Sequence, residues 1–271
     1  MYPEIFRFNP PPLNPVVIKD SLWIDDSYLR ITYDATIITD TVSRVSFNDR
    51  MIVLCGYNYY LSYGKNLWLE SHHTIDEDPK YLCAKGEESI IPFFLFRNLQ
   101  NNLIKNMVSE PSWVTRRTIY TEPAPIFYWI LSEESEKLLG YTCYKAETHF
   151  RGRDWTVWFT PDVPIDCGLW KFSGLPGLIL EAFDSRGEYV FSAVGMESVN
   201  EGIYIYTSVW DYQMERETAR DFEAKLYKSP LVNGFSPAST MRFINRDQGL
   251  HGNEIFNADN LTFPYNPMEL E

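Results

Sequence analysis

The fold is decided by one stretch, Trp170-Lys171-Phe172-Ser173-Gly174-Leu175-Pro176-Gly177-Leu178-Ile179-Leu180. Pro176-Gly177 predicts a type II turn over residues 175–178, because proline presets φ at the second turn position and glycine accepts a positive φ at the third. An apolar strand follows, and a polar break at residues 184–187 separates it from a second strand. The stretch therefore predicts a turn followed by a β-hairpin, with its two glycines letting another backbone come close.

Alternation of apolar and polar residues predicts further strands on both sides of this hairpin. Trp155, Val157 and Phe159, for example, share one face of a strand. The short links between such runs favour antiparallel pairing. The predicted strands are residues 28–37, 49–55, 59–63, 113–120, 126–131, 141–150, 155–160 and 202–209.

Three segments predict helical structure. Leucines recur at a spacing of four in residues 93–107, and residues 132–139 form a polar segment that ends at a glycine. The clearest helix is predicted over residues 211–228, which carry an apolar stripe. The spaced residues are Leu95, Leu99 and Leu103 in the first segment and Ala219, Phe222 and Leu226 in the third.

Together these elements predict a β-dominated α+β fold, in which a large antiparallel sheet is curved or partly closed and packs one or two helices. Residues 1–20 are rich in proline and predict an extended N-terminal arm. A chain of 271 residues is long enough for one large β-rich domain or two small ones. We favour a single β-rich domain over residues 21–271.

Composition excludes several classes of protein. The formal net charge of −13 argues against binding to nucleic acid or to anionic membranes, because both require a basic surface. No apolar run approaches the roughly 20 residues that span a bilayer, so we expect no membrane-spanning segment. Residues 1–7 lack a basic region and an apolar core, so we expect no signal peptide within this chain.

The four cysteines, Cys55, Cys83, Cys143 and Cys167, have no CxxC spacing, which argues against a zinc site or a thioredoxin-like motif. Three disulfide pairings are possible, and the sequence does not choose among them or exclude four buried thiols. Cys143 and Cys167 flank a predicted hairpin, so they are one pair that could meet.

The residues Gly174, Leu175, Pro176, Gly177, Leu178 and Ile179 spell the signature of the GLPGLI family, which this chain resembles. The resemblance covers nearly the whole chain, is densest over residues 140–184, and is weak in the proline-rich arm and in residues 65–112. Cys55 is a departure, because the family more often has an aliphatic or small residue there. Further similar blocks are residues 51–56, 61–63, 140–146, 150–153, 157–161, 170–172 and 266–270.

This resemblance implies where the protein is located more than which activity it has. Proteins of the family are typically exported, with a signal peptide, by Gram-negative bacteria of the Bacteroidetes group, which implies the periplasm, the outer membrane or secretion. The family has no established biochemical function, so the resemblance supplies no catalytic residue. We expect no cofactor.

Two groups of residues have the chemistry of a site but lack its spacing. Cys143 and His149 share one face of a predicted strand, yet six extended residues separate them by about 20 Å, too far for a thiol and its base. His72 and His73 lie among acidic residues, but without an EF-hand or HExxH spacing, so we expect a solvated acidic loop. The sequence therefore predicts no catalytic residue and no metal ligand.

The candidate ligand-binding residues are Arg151, Arg153 and Trp158. The two arginines flank Gly152 and either present their guanidinium groups to a carboxylate or phosphate or form a charged hairpin tip. Trp158 and Trp155 point to opposite faces of one strand, so one of them is available to stack on a sugar or peptide unless packing covers it.

From the sequence we expect an exported protein, periplasmic or envelope-associated, that binds an apolar or polymeric ligand or an envelope protein and is not an enzyme. The alternative is a hydrolase whose catalytic group the sequence does not identify. A cluster of acidic or histidine side chains with shifted pKa values in a deep pocket would favour the hydrolase. A wide apolar groove would favour the binding module.

Overall fold

The structure, a computed structural model, describes residue 13 and residues 16–73, 89–110, 116–229 and 264–271. Two helices lie in these ranges, α1 (Lys65–His73) and α2 (Arg216–Lys228). The strands are β1 (Asp20–Ile38), β2 (Ser46–Gly56), β3 (Tyr59–Gly64), β4 (Phe93–Asn98), β5 (Leu103–Ser109), β6 (Arg117–Pro123), β7 (Ile130–Leu138), β8 (Tyr141–Phe150), β9 (Arg153–Thr160), β10 (Leu178–Asp184), β11 (Tyr189–Thr207) and β12 (Asp211–Gln213).

Within the described ranges the strands form one sheet, in the order β12-β6-β5-β4-β3-β2-β1-β11-β10-β9-β8-β7. Neighbouring strands are antiparallel except β12 and β6, which are parallel. Two blocks of consecutive strands, β1 to β6 and β7 to β11, meet where β1 pairs with β11 and sets Asp20 opposite Thr207. The predicted β-dominated α+β fold with a large antiparallel sheet is confirmed.

Side chains from distant strands of the sheet touch, and from this contact we infer that the sheet is strongly curved. Arg151, in the turn between β8 and β9, donates a hydrogen bond of 2.8 Å to Glu122 on β6. Eight strand spacings separate β6 from β9, which would be about 38 Å in a flat sheet. Curvature, as predicted, therefore brings the end of β6 to the β8–β9 turn, and the candidate site lies at this meeting point.

Both faces of the middle of the sheet are buried. On β2, Met51 and Val53 belong to the larger apolar cluster, whereas Ile52 and Leu54 belong to a smaller cluster on the opposite face. Helix α1 contributes Leu67 to the smaller cluster and so covers that face. Burial on both faces explains why this strand is a continuous apolar run rather than an alternating one.

The stretch 170–180 differs from its prediction in the turn. Gly177 does not have a positive φ, so the type II turn is wrong. Glycine is required there because a Cβ would lie 2.0 Å from the carbonyl oxygen of Thr160, and this confirms the predicted close approach. Gly174 has a φ of 88°, and Trp170 has a φ of 56°, which is rare for a bulky side chain. The hairpin of β10 and β11 is confirmed.

Two predicted helices are wrong. Residues 93–107 form the hairpin of β4 and β5. A spacing of four is even, so it is compatible with one face of a strand as well as with a helix. Residues 132–139 fall largely in β7, an edge strand whose mostly exposed side chains hide the alternation. The third helix is confirmed, but it begins at Arg216, because residues 211–213 pair with β6 as β12.

Most of the predicted strands are confirmed with shifted bounds. The predicted strand at residues 126–131 is displaced most, since β7 starts only at Ile130. The strand predicted at residues 113–120 is β6, which starts at Arg117. Helix α1 was not predicted, because its residues mix polar and apolar side chains without a clear stripe.

The division into an arm (1–20) and a domain (21–271) stays a prediction, since residues 1–12, 14 and 15 lie outside the described ranges, as does most of the segment before residue 264. In the part of the chain that the structure describes, neither helix combines the length and the apolar character needed to cross a membrane.

Candidate functional site

A cavity of about 110 Å³ lies between the curved sheet, α2 and residues 264–269. Its wall is largely apolar, and tyrosines and a few charged side chains complete it. This composition is usual for small-molecule sites. The apolar wall includes Ile37, Ile91, Phe93, Val108, Trp170 and Phe191, the tyrosines are Tyr120, Tyr189, Tyr227 and Tyr265, and the charged side chains are Lys171, Arg220, Glu223 and Glu269.

Lys171 is the most deeply buried cation of this wall, with 1% of its side chain exposed. Its ammonium donates a hydrogen bond of 2.5 Å to Glu122 and another to Glu269. It also lies 5.7 Å from the ring centroid of Tyr120, within cation–π range. Because an unpaired ammonium is costly to bury, the two carboxylates are what hold Lys171 in place.

Glu269 accepts hydrogen bonds from three cationic side chains. Lys171 donates to Oε1, while Arg151 and Arg216 donate to Oε2 at 2.7 Å and 2.6 Å. Burial alone would raise the pKa of Glu269, but the charges of Lys171 and Arg151, with these hydrogen bonds, lower it to about 2. Both oxygens of an ionised carboxylate are therefore engaged.

Glu122 binds the same cations from the opposite side. It accepts hydrogen bonds from Lys171 and Arg151, and Arg216 Nε lies 3.4 Å from its Oε2. We call these five residues, Glu122, Arg151, Lys171, Arg216 and Glu269, the ion cluster. It joins β6, the β8–β9 turn, the stretch before β10, α2 and the C-terminal segment.

Glu223 also faces the cavity, from α2, and behaves differently from Glu269. It pairs with Arg220 at 2.9 Å, and 19% of its side chain is exposed. Burial raises the pKa of Glu223, and the charge of Arg220 offsets only part of this effect. The cavity thus contains two carboxyl groups whose pKa values are shifted in opposite directions.

Tyr120, a buried residue of β6, lines the cavity. Burial raises the pKa of this tyrosine well above its ordinary value, so the hydroxyl remains protonated. A protonated tyrosine hydroxyl can donate a hydrogen bond to a polar atom of a ligand.

The structure places both predicted arginines against carboxylates of the chain itself. Arg151 belongs to the ion cluster. Arg153 has no exposed side-chain surface, and it donates hydrogen bonds of 2.7 Å to Asp184, 2.8 Å to Glu188 and 2.8 Å to the carbonyl of Pro267. Arg153 is therefore not part of a solvated hairpin tip, the alternative that the sequence left open.

Trp158 is not brought to the arginines. It is half-buried and packs against the larger apolar cluster, whereas Trp155, on the opposite face of β9, is 1% exposed. Ligand binding by Arg151, Arg153 and Trp158 stays a prediction. The family-like motif lies beneath them, with Leu175, Leu178 and Ile179 fully buried in the same cluster.

Of the two other groups that the sequence singled out, the structure separates Cys143 from His149 and describes only part of the histidine group. Cys143 is buried, and burial raises the pKa of its thiol to about 11, whereas His149 is exposed and pairs with Asp154 at 2.6 Å.

His72 stacks on Trp68 at a centroid distance of 4.0 Å, while the side chain of His73 and residues 76–78 lie outside the described ranges. No group of three potential metal ligands occurs in the described ranges.

Sequence reasoning missed most of the ion cluster and Glu223. Glu122, Lys171 and Glu269 are far apart in the sequence, and no local spacing connects them. One signal was available: Lys171 stands between Trp170 and Phe172, and a charge inside an aromatic run predicts a buried ion pair.

A second surface lies at the open edge of the sheet. Ile126, Tyr128 and Ile130, in and just before β7, are between 71% and 82% exposed. Open edges with exposed apolar side chains favour pairing with another chain, and the envelope-protein partner expected from the sequence stays a prediction.

Comparison with known proteins supports the fold without giving an activity. Residues 150–181 match a family model described as "Protein of unknown function (Porph_ging)". Structures of PNGF-II in the P21 and C2 space groups are similar over 74% of this chain, at 15% sequence identity and TM-scores of 0.50 and 0.51.

The chain spans about a third of the length of PNGF-II, 34% and 33% in the two structures. At this identity the likeness shows the fold alone. A comparison with curated proteins gives no significant match. What the comparisons give is therefore a short match to a family of unknown function and a shared β-rich architecture.

Proposed function

We propose that this chain is an exported binding module of the GLPGLI type, and that its cavity accepts a small apolar or aromatic group of the ligand. The observation that carries the proposal is the cavity itself, whose wall is apolar and whose charged groups are mostly paired with one another. Export rests on the resemblance of the sequence to that family.

The size of the cavity limits what it can hold. An engineered cavity of about 150 Å³ with apolar walls binds benzene, so a cavity of about 110 Å³ suits a single small ring or an aliphatic side group. A larger apolar or polymeric ligand would insert one such group and remain outside with the rest. The protonated hydroxyl of Tyr120 would donate a hydrogen bond to a polar atom on that group.

One observation favours the alternative, a hydrolase. Carboxyl groups with pKa values shifted apart, as in Glu223 and Glu269, can serve as an acid and a base. However, three cations engage both oxygens of Glu269, so it has no free oxygen aimed at a substrate or a water. Binding is therefore the function that the geometry supports better.

The binding proposal is tested by titrating purified protein with phenol and with benzene, followed by isothermal calorimetry and NMR. We expect both probes to bind wild type, and Val108→Trp, which fills the cavity from β5, to bind neither. The matched control, Val194→Trp, places the same side chain at an exposed position of β11 outside the cavity and should leave binding unchanged.

Tyr120→Phe sharpens the test, because it removes the hydroxyl and keeps the shape of the wall. We expect phenol affinity to fall about fivefold, the value of one hydrogen bond, with benzene affinity unchanged. If neither probe binds folded wild type, or if Val108→Trp binds as well as wild type, the cavity is not a binding site. Cell fractionation with an antibody against the chain tests export separately.

For the hydrolase, Glu223→Gln is the informative variant. Wild type would have to show turnover in a panel of glycoside, ester and peptide substrates, and this variant would have to lose it. Turnover that Glu223→Gln retains would exclude Glu223 as the acid.

A further inference from the structure

Two cysteines from distant parts of the chain meet in the core. Sγ of Cys55, at the end of β2, lies 3.1 Å from Sγ of Cys167, in the segment between β9 and β10. Both residues are buried, at 0% and 2% exposure. The separation is closer than an ordinary contact between two sulfur atoms and about 1 Å longer than a disulfide bond.

The pairing differs from the one that the sequence suggested. Cys143 does not meet Cys167, and its sulfur instead contacts the carbonyl of Tyr141 at 3.8 Å. Cys83 lies outside the described ranges. Within the described residues, no group of three potential metal ligands includes these two sulfurs.

The surroundings hold the segment of Cys167 against the sheet. Asp166, the residue before it, pairs with Arg97 on β4 at 3.3 Å and accepts a hydrogen bond of 2.6 Å from the backbone of Gly174. Tyr33, below the sulfurs on β1, donates its hydroxyl to the carbonyl of Ile179 at 2.6 Å. A bond between the cysteines would therefore tie the motif segment to the first block of the sheet.

We propose that Cys55 and Cys167 form a structural disulfide, made by exchange with the disulfide of an oxidised dithiol catalyst. One cysteine attacks the catalyst's disulfide and forms a mixed disulfide, and the second cysteine then displaces the catalyst. The two cysteines lose two electrons and two protons, and the catalyst's disulfide is reduced to two thiols. Because both sulfurs are buried, this exchange takes place while the chain folds.

The expected gain in stability is large, because the bond would close a loop of 112 residues. Oxidised protein should unfold at a temperature about 10 °C above that of reduced protein. The gain should be absent in Cys167→Ser and retained in Cys143→Ser, which leaves the pair intact.

The test is refolding of reduced, unfolded chain in a glutathione redox buffer, followed by alkylation under denaturing conditions and peptide mass mapping. A defined redox buffer makes the outcome independent of export and of the cavity. We expect a linked Cys55–Cys167 peptide in wild type and in Cys143→Ser. Chain expressed with a secretion signal into an oxidising compartment should give the same linked peptide, which covers the case in which refolding fails.

Two results would overturn the proposal. One is folded protein with all four thiols alkylated under both regimes, and the other is a linked peptide that joins a different pair, such as Cys83 and Cys143.

Discussion

Arg151 and Arg153 are two residues apart at one hairpin turn, and the structure uses them differently. Arg151 is 22% exposed in its side chain and shares its two carboxylates with Lys171 and Arg216. Arg153 has no exposed side-chain surface, and it is the close cation of two carboxylates that are themselves buried. Among the described residues, the only other cation that pairs with them is Arg44, which lies 3.8 Å from Glu188.

From this difference we expect burial and redundancy, and not charge alone, to decide how much each ion pair contributes to stability. Removing one partner of a buried pair leaves the other charge buried and unpaired, and this costs far more than the pair contributes when intact. In the ion cluster other cations remain to compensate. Around Arg153, in the described part of the chain, Arg44 is the one cation that would remain to compensate.

The largest expected effect is therefore that of Arg153→Ala. It leaves Asp184 and Glu188 without their close cation and the carbonyl of Pro267 without a donor, so we expect the free energy of unfolding to fall by about 4 kcal/mol. Urea denaturation followed by circular dichroism measures it. Arg50→Ala, which breaks an exposed pair with Asp34, is the control and should change stability by about 0.5 kcal/mol or less.

Arg153→Lys refines this result. It keeps the positive charge but loses the planar guanidinium group, which donates hydrogen bonds to several acceptors at once. An intermediate loss of stability would show that geometry matters as well as charge. A loss equal to that of Arg50→Ala would mean that Arg153 is not the support that its contacts suggest.

Glu269→Gln should follow, with a loss of about 3 kcal/mol at neutral pH, because the pKa of Glu269 is lowered to about 2 in the folded chain. A lowered pKa stabilises the folded chain above the unfolded value of 4.5, and this contribution is lost as the pH falls from about 4.5 to about 2. Denaturation at several pH values should show the gap between wild type and variant closing in that range. A gap that stays constant from pH 7 to pH 3 would contradict the assignment.

Among the variants of the ion cluster and Arg153, the smallest effect is expected for Arg151→Ala, about 1 to 2 kcal/mol, because Lys171 and Arg216 still pair with Glu122 and Glu269. Measured beside Arg153→Ala under the same conditions, it tests the comparison directly. Equal losses for the two variants would show that redundancy within the ion cluster has no energetic value.

Much of the fold could be predicted from local patterns. Strands such as β8 and β9 alternate clearly, because one face is core and the other is more exposed. Of the predicted α2 stripe, Ala219 and Leu226 are buried and Phe222 is half-buried. The prediction of secondary structure failed where the local sequence pattern is compatible with both a strand and a helix. The evenly spaced leucines around Leu95 fit a strand as well as a helix, and β7 exposes too much of its surface to alternate.

The candidate site could not be predicted, because it depends on curvature. The chemistry of Arg151 left two interpretations open, binding of a carboxylate or phosphate and a charged hairpin tip. Its partners Glu122 and Glu269 come close only when the sheet curls. The same holds for Cys55 and Cys167, whose meeting no spacing rule indicates. Contacts between elements far apart in the chain carry no short-range signal.

The pairing of β1 with β11 also has a consequence for the order of folding. It joins residues up to 187 positions apart, whereas the strands within each block pair with near neighbours. Closing a long loop costs entropy before its contacts form, and such pairings slow folding. We infer that the two blocks gain their hairpins first and that the β1–β11 ladder forms last, which pulse-labelled hydrogen exchange would reveal as late protection. The cavity and the ion cluster draw on both blocks, so neither would exist until that final step is complete.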